Sequence, residues 1–247
     1  MPIVGVLVPT AYLKELVMAE KVNIVLVHGA WGDGSHWRHV IPTLHNAGHR
    51  VIAVQNPLTS LAADVDRTRK LAESVDGPTL LVGHSYGGAV ITGAGHAENV
   101  VGLVYIAAFA PDEGDSLGSI FARTDQPAGA ANIAPDAEGF LWITPDKFQE
   151  SFSQDLDDTE ALVMALTQKP IAGQCFSDPS GPPAWRGKPS WYQVSGQDRM
   201  IPPETERWMA ERIGAREIEE LDAGHASLAS HPHEVTQLIL RAAAQVS

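Results

Sequence analysis

The chain has 247 residues, enough for one domain of generous size, and 44% of them are hydrophobic, which excludes disorder. Its 17 basic against 30 acidic residues give a net charge of −13, a surface that repels phosphate and excludes nucleic acid as a partner. A single cysteine, Cys175, excludes internal disulfides and cysteine-based metal clusters and fits a reducing cytoplasm.

Residues 1–21 read as an N-terminal extension, apolar over Ile3–Val8 but without the basic start and cleavage site of a signal peptide. No apolar run approaches the roughly 20 residues of a membrane helix, so no membrane partner is expected. Val22–His28 is a buried strand. Ser35–Ala47 reads as a helix, with Ser35 as its N-cap and Gly48 as its stop. A second strand spans Arg50–Val54, and Leu61–Val75 is helical, with Leu61, Val65, Leu71 and Val75 as its apolar positions. Thr79–Gly83 is the third strand, Tyr86–His96 a helix and Val101–Ala107 the fourth strand. After a break come a strand at Ser190–Ser195, a helix over Pro203–Ile213, a strand at Glu217–Leu221 and a closing helix, His231–Ala244.

Short, continuously apolar strands alternating with helices predict an α/β fold. Its mostly parallel central sheet has helices on both faces, built from residues 22–111 and 189–247. Residues 112–188 break the rhythm. They are rich in Pro, Gly, Asp and Ser, with scattered aromatics and helical patterns at Thr144-Pro145-Asp146 and Asp157–Gln168. They read as an inserted cap or lid over the sheet edge.

Directly behind the third strand stands Gly83-His84-Ser85-Tyr86-Gly87, a G-x-S-x-G pattern followed by a helix of small residues. A serine there sits on a sharp strand-to-helix turn with its hydroxyl exposed. A side chain at Gly83 or Gly87 would collide with the tightened backbone. A serine hydroxyl needs a base, and the base needs an acid to orient it, in the chain order Ser, acid, His on this kind of sheet. Of ten histidines, His225 lies late, in the loop Leu221-Asp222-Ala223-Gly224-His225 after the last strand. His84 reads as packing beside the turn and His231 and His233 as surface or capping residues. His28, His36, His39, His45, His49 and His96 read as structural or exposed. Asp198, after the strand at Ser190–Ser195, is the candidate acid; Asp112 and Asp115 compete, and Asp222 reads as lying on the wrong side of its loop. The N–H groups of Tyr86 and of Ala30, in His28-Gly29-Ala30-Trp31-Gly32, are the candidate oxyanion donors. Trp31, Phe109, Phe121, Trp142 and Phe148, with Tyr86, are candidates for an apolar pocket.

The segments HGAWGDGSHW (28–37), GHSYGG (83–88), SGQDRMIP (195–202) and GHASLASHPHEV (224–235) resemble the α/β-hydrolase superfamily. More narrowly, they resemble the branch that holds plant methylesterases, hydroxynitrile lyases and bacterial carboxylesterases. The similarity covers roughly residues 22–246 and is weakest in the cap. It implies Ser85, Asp198 and His225 as catalytic residues, the Ala30 and Tyr86 amides as the oxyanion hole, and hydrolysis of small carboxylic esters through an acyl-enzyme, with no metal and no organic cofactor. Tyr86 stands where many relatives carry leucine or methionine.

Alternatives stay open at this point. Hydroxynitrile lyase relatives place a lysine beside the catalytic histidine, where this chain has Ala226, and a hydroxyl residue where it has Ala30. Perhydrolysis, acyl transfer and carbon–carbon bond hydrolysis use the same three residues. A non-catalytic small-molecule receptor on this fold is the reading from a different class. A homodimer would use the cap or the N-terminal extension.

Overall fold

The computed structural model describes residues 21–247; the expected extension over 1–21 lies outside them apart from Lys21. Among the described residues, six strands form the central sheet: β1 (Asn23–Val27), β2 (Val51–Ala53), β3 (Thr79–His84), β4 (Val100–Ile106) and, after the inserted segment, β8 (Ser190–Ser195) and β9 (Ile218–Leu221). Their order is β2-β1-β3-β4-β8-β9. All the neighbouring pairs are parallel, with Ile24 opposite Leu80 across β1 and β3 and Leu81 opposite Leu103 across β3 and β4.

The continuous apolar runs follow from burial of both sheet faces. Successive side chains alternate sides. Val25, Val27, Leu81, Leu103 and Tyr105 therefore enter one core, and Ile24, Leu26, Leu80, Val82, Val104 and Ile106 the other. The second core is closed by Trp37, Leu44 and the C-terminal helix Pro232–Ala244. Val235, Leu238, Ile239 and Ala242 of that helix recur at i, i+3, i+4 and i+7, a single apolar stripe.

The expected helix over Ser35–Ala47 is two pieces: a 3₁₀ turn, Gly34–Trp37, and a helix, Ile41–Asn46. Pro42 lacks the N–H that a continuous helix would donate backward, so it sits in a first turn instead. The cap is Asp33, not Ser35: Asp33 Oδ1 accepts the Ser35 N–H at 2.7 Å. Gly48 ends the second piece at φ +90°.

The segment between β4 and β8 holds the two helices expected from its pattern, Pro145–Phe152 and Asp158–Thr167. It also holds a small antiparallel sheet that the sequence reading did not foresee, made of β5 (Ile133–Pro135), β6 (Phe140–Ile143) and β7 (Ile171–Ala172). It is tied to the loop after β1 by Trp31, whose indole N–H donates to Leu141 O at 2.9 Å. Among the described residues, no helix is long and apolar enough to cross a membrane.

Candidate active site

Ser85 follows β3 and begins the turn into the helix Tyr86–Ala94 with φ +54° and ψ −125°. That left-handed backbone is strained for serine, by about 1–3 kcal/mol, and persists only where the surroundings hold it. Here both backbone groups are held. Ser85 N–H donates to Ile106 O, and Ser85 O accepts from Gly88 N at 2.9 Å and Phe109 N at 3.1 Å. The tight approach needs glycine on either side. A Cβ on Gly83 would lie 2.5 Å from Gly87 O, and one on Gly87 would lie 2.5 Å from Val27 O.

The fold brings the three predicted residues together. Ser85 Oγ lies 2.8 Å from His225 Nε2, and His225 Nδ1 lies 2.5 Å from Asp198 Oδ2. A carboxylate only accepts, so Nδ1 carries the proton and Nε2 is left free to accept one from Ser85. Asp198 Oδ1 accepts the N–H groups of Met200 (2.6 Å) and Ile201 (2.9 Å), so both carboxylate oxygens are occupied. The competing acids are engaged elsewhere: Asp112 with Arg186, Asp115 with Arg212, and Asp222 with Gln197.

His225 is fully buried, and its ring is flanked by Phe152 and His84, each 4.8 Å away between centroids. Burial, reinforced by His225, holds His84 well below the usual histidine range. It is a neutral donor whose Nε2–H reaches His225 O at 2.8 Å, not a second base. His28 and His36 are likewise neutral: burial lowers them to about 4 and about 3.

Ala30 and Tyr86 both border the cavity in front of Ser85. Tyr86 is the first residue of its helix, so its N–H is one of those without an intrahelical acceptor. The cavity measures about 100 Å³. Trp31, Phe109 and Phe121 line it as expected, joined by Ile133, Phe176 and Met200. Trp142 and Phe148 do not line it. Trp142 alternates out of β6 away from Leu141 and Ile143, and its indole N–H goes to Asp136 Oδ2 at 2.9 Å. Phe148 is one layer deeper, packed on Phe152 at 5.0 Å.

Asp64 escaped the sequence reading. The inward stripe of the helix Leu61–Glu73 is Leu61, Asp64, Thr68 and Ala72 rather than an all-apolar row. Asp64 Oδ2 accepts from the Tyr86 hydroxyl at 2.6 Å, and Oδ1 from Leu58 N–H at 2.9 Å. Burial pushes the Asp64 carboxyl up, and the Tyr86 hydrogen bond opposes that. Tyr86→Phe leaves Oδ2 without its donor, an expected loss of about 1–3 kcal/mol in urea unfolding. The loss is expected to be larger at pH 8 than at pH 5, because the unpaired carboxyl is costliest when ionised.

The model of the alpha/beta hydrolase family matches residues 24–238. A carbendazim hydrolyzing esterase of Nocardioides sp. (strain SG-4G) is 36% identical over 126 residues, 45% of this chain and 52% of that protein. Salicylic acid-binding protein 2 of Nicotiana tabacum is 26% identical over 92% of this chain and 98% of its own length. Putative methylesterase 19 of Arabidopsis thaliana is likewise 26% identical, over 91% of this chain and 98% of its own. Among solved structures, a pyrethroid hydrolase of Sphingobium faniae JZ-2 superposes with a TM-score of 0.77 at 21% identity, over 90% of this chain and 97% of that one, a likeness of fold. With the family model matching most of its length, and with the parallel sheet and the strained serine after β3, this chain belongs to the alpha/beta hydrolase family.

Proposed function

We propose that the protein is a serine carboxylesterase acting on small, neutral carboxylic esters. The observation that carries this reading is the hydrogen-bonded run from Ser85 through His225 to Asp198 at the mouth of an apolar cavity. His225 Nε2 takes the hydroxyl proton as Ser85 Oγ attacks the ester carbonyl. The N–H groups of Ala30 and Tyr86 receive the developing oxyanion, each worth about 3 kcal/mol in such a role. His225 returns the proton to the leaving alcohol. A water activated by the same imidazole then releases the acid from the acyl-enzyme.

Relatives named as esterases and hydrolases support the reaction class. Cavity chemistry supports the substrate class. Among the described residues, the lining carries no charged side chain. An apolar space of about 100 Å³ suits one compact group rather than a long chain. Residues 112–188 serve in this reading as the cap that walls the cavity, supported by Phe121, Ile133 and Phe176 in its lining. The single cysteine, free and buried, supports a cytoplasmic location.

A fluorophosphonate probe is expected to label Ser85, located by peptide mass spectrometry. Turnover of p-nitrophenyl esters is expected to fall from acetate and butyrate to octanoate. Folded protein that neither labels nor hydrolyses any of them would support a receptor instead.

A further inference from the structure

Glu206 lies on the helix Pro203–Arg212, is fully buried, and has no part in the reaction described above. Its Oε2 accepts the N–H of Ser195, the last residue of β8 and three positions before Asp198, at 2.9 Å. Its Oε1 receives no donor among the described residues. The acid beside it is Asp198, whose carboxyl opposes the ionisation of Glu206. Two neighbouring carboxyls out of water resist being ionised together. Asp198 has the stronger hold on the charge, because two backbone N–H groups and the His225 Nδ1–H converge on it. Glu206 has one donor. The proton therefore belongs on Glu206, and a carboxylic acid with an oxygen that takes no donor has an O–H to give.

We propose that Glu206 is a positioning residue of the site: its protonated carboxyl donates to Asp198 and holds that acid facing His225. The kinetic half of this proposal rests on the esterase reading; the protonation half does not. The surroundings agree. Burial first, and the neighbouring Asp198 next, hold the Glu206 carboxyl well above the usual carboxylate range. The other groups facing it are Tyr192 on β8, whose hydroxyl is turned to Ala108 O, and Arg207 on its own helix, which is engaged by Glu220 and lowers Glu206 only as a minor contribution.

Glu206→Gln preserves the arrangement without the titration, since an amide offers both an oxygen for Ser195 N–H and an N–H for Asp198. A folded-state value raised above 4.5 favours folding fully below that pH and loses this contribution as pH rises through the folded value. The melting temperature of E206Q minus that of wild type is therefore expected to grow from pH 4.5 to pH 8. Infrared spectra of the wild type are expected to contain a protonated-carboxyl C=O band that E206Q lacks. On p-nitrophenyl acetate, E206Q is expected within about twofold of wild-type kcat/KM at pH 7, without the alkaline decline that loss of the Glu206 proton causes, whereas Glu206→Leu loses kcat on the order of tenfold with KM unchanged. A melting difference independent of pH and no such band would overturn the protonation. A wild-type alkaline limb in E206Q would overturn the link to Asp198. An inactive wild type would sink the esterase reading alone, because the melting and infrared results would still read the proton.

Discussion

Ser85→Ala and His225→Ala are each expected to lower kcat for p-nitrophenyl acetate on the order of 10⁴-fold or more, and the double variant to be no slower than either single one. The reason lies in how the groups depend on one another. Without His225, the Ser85 hydroxyl at 2.8 Å has no acceptor for its proton. Without Ser85, the imidazole has nothing to activate but water. Each removal ends the same step, so the losses do not add. In the esterase reading, what remains is expected to come from the Ala30 and Tyr86 amides and from the apolar cavity, which would still bind and polarise an ester. Stability separates this from a folding defect. Ser85→Ala keeps the φ +54° backbone strain and is expected to unfold at the wild-type urea midpoint. Ser85→Gly, equally inactive, is expected to gain about 1 kcal/mol, because glycine adopts that backbone at no steric cost. Additive losses, or a variant retaining a tenth of the activity, would remove Ser85 from the chemistry.

The frame and the three converging residues were legible because each rests on a local signal. Buried parallel strands need uninterrupted apolar runs, and β1, β3 and β4 have them. Ser85 sits between glycines that the packing cannot replace, and Asp198 and His225 follow strands in the order the sheet requires. What was not legible depends on which way a side chain turns. Trp142 looked like a pocket aromatic, yet the pleat of β6 sends it outward to Asp136. β6 itself was hidden because its partners are short and distant in sequence: it pairs with Ile133–Pro135 on one side and with Ile171–Ala172 on the other. Asp64 and Glu206 carry no such local signal, because an acidic residue in a helix normally marks the solvent face. Only the meeting of Asp64 with Tyr86, and of Glu206 with Ser195 and Asp198, explains burying them. Ser35 lost the cap to Asp33 by two positions, a distinction the composition of a polar turn does not encode.

Between pH 6.5 and 4.5 the stability of the protein is expected to be set by a contest between buried histidines and buried acids. His28, His36 and His84 are neutral in the fold, with His28 near 4, His36 near 3 and His84 well below the ordinary 6.5. The hydrogen bonds explain why protonation is resisted. His28 gives its Nδ1–H to Gly29 O and accepts Asn56 N–H on Nε2, so a second ring proton would meet a donor. His84 already gives Nε2–H to His225 O, and among the described residues its Nδ1 has no partner to receive a proton's charge. Below pH 6.5 the unfolded chain takes up protons that the folded one refuses. A lowered folded value therefore means stability that is present above 6.5 and lost as pH falls, by about 1.4 kcal/mol per pH unit for each histidine. Glu206 and Asp64, both raised, push the other way. The difference between variants isolates one contributor. The His36 side chain makes no hydrogen bond among the described residues, and its Nδ1 is buried without a partner. His36→Gln therefore removes a titration while sacrificing no bond, and urea unfolding at half-unit intervals is expected to show its slope against pH reduced or reversed relative to wild type by about 1.4 kcal/mol per unit. Glu206→Gln is expected to steepen the slope by a similar amount. Parallel curves for wild type and both variants would mean that neither group keeps in the folded protein the protonation state its surroundings impose.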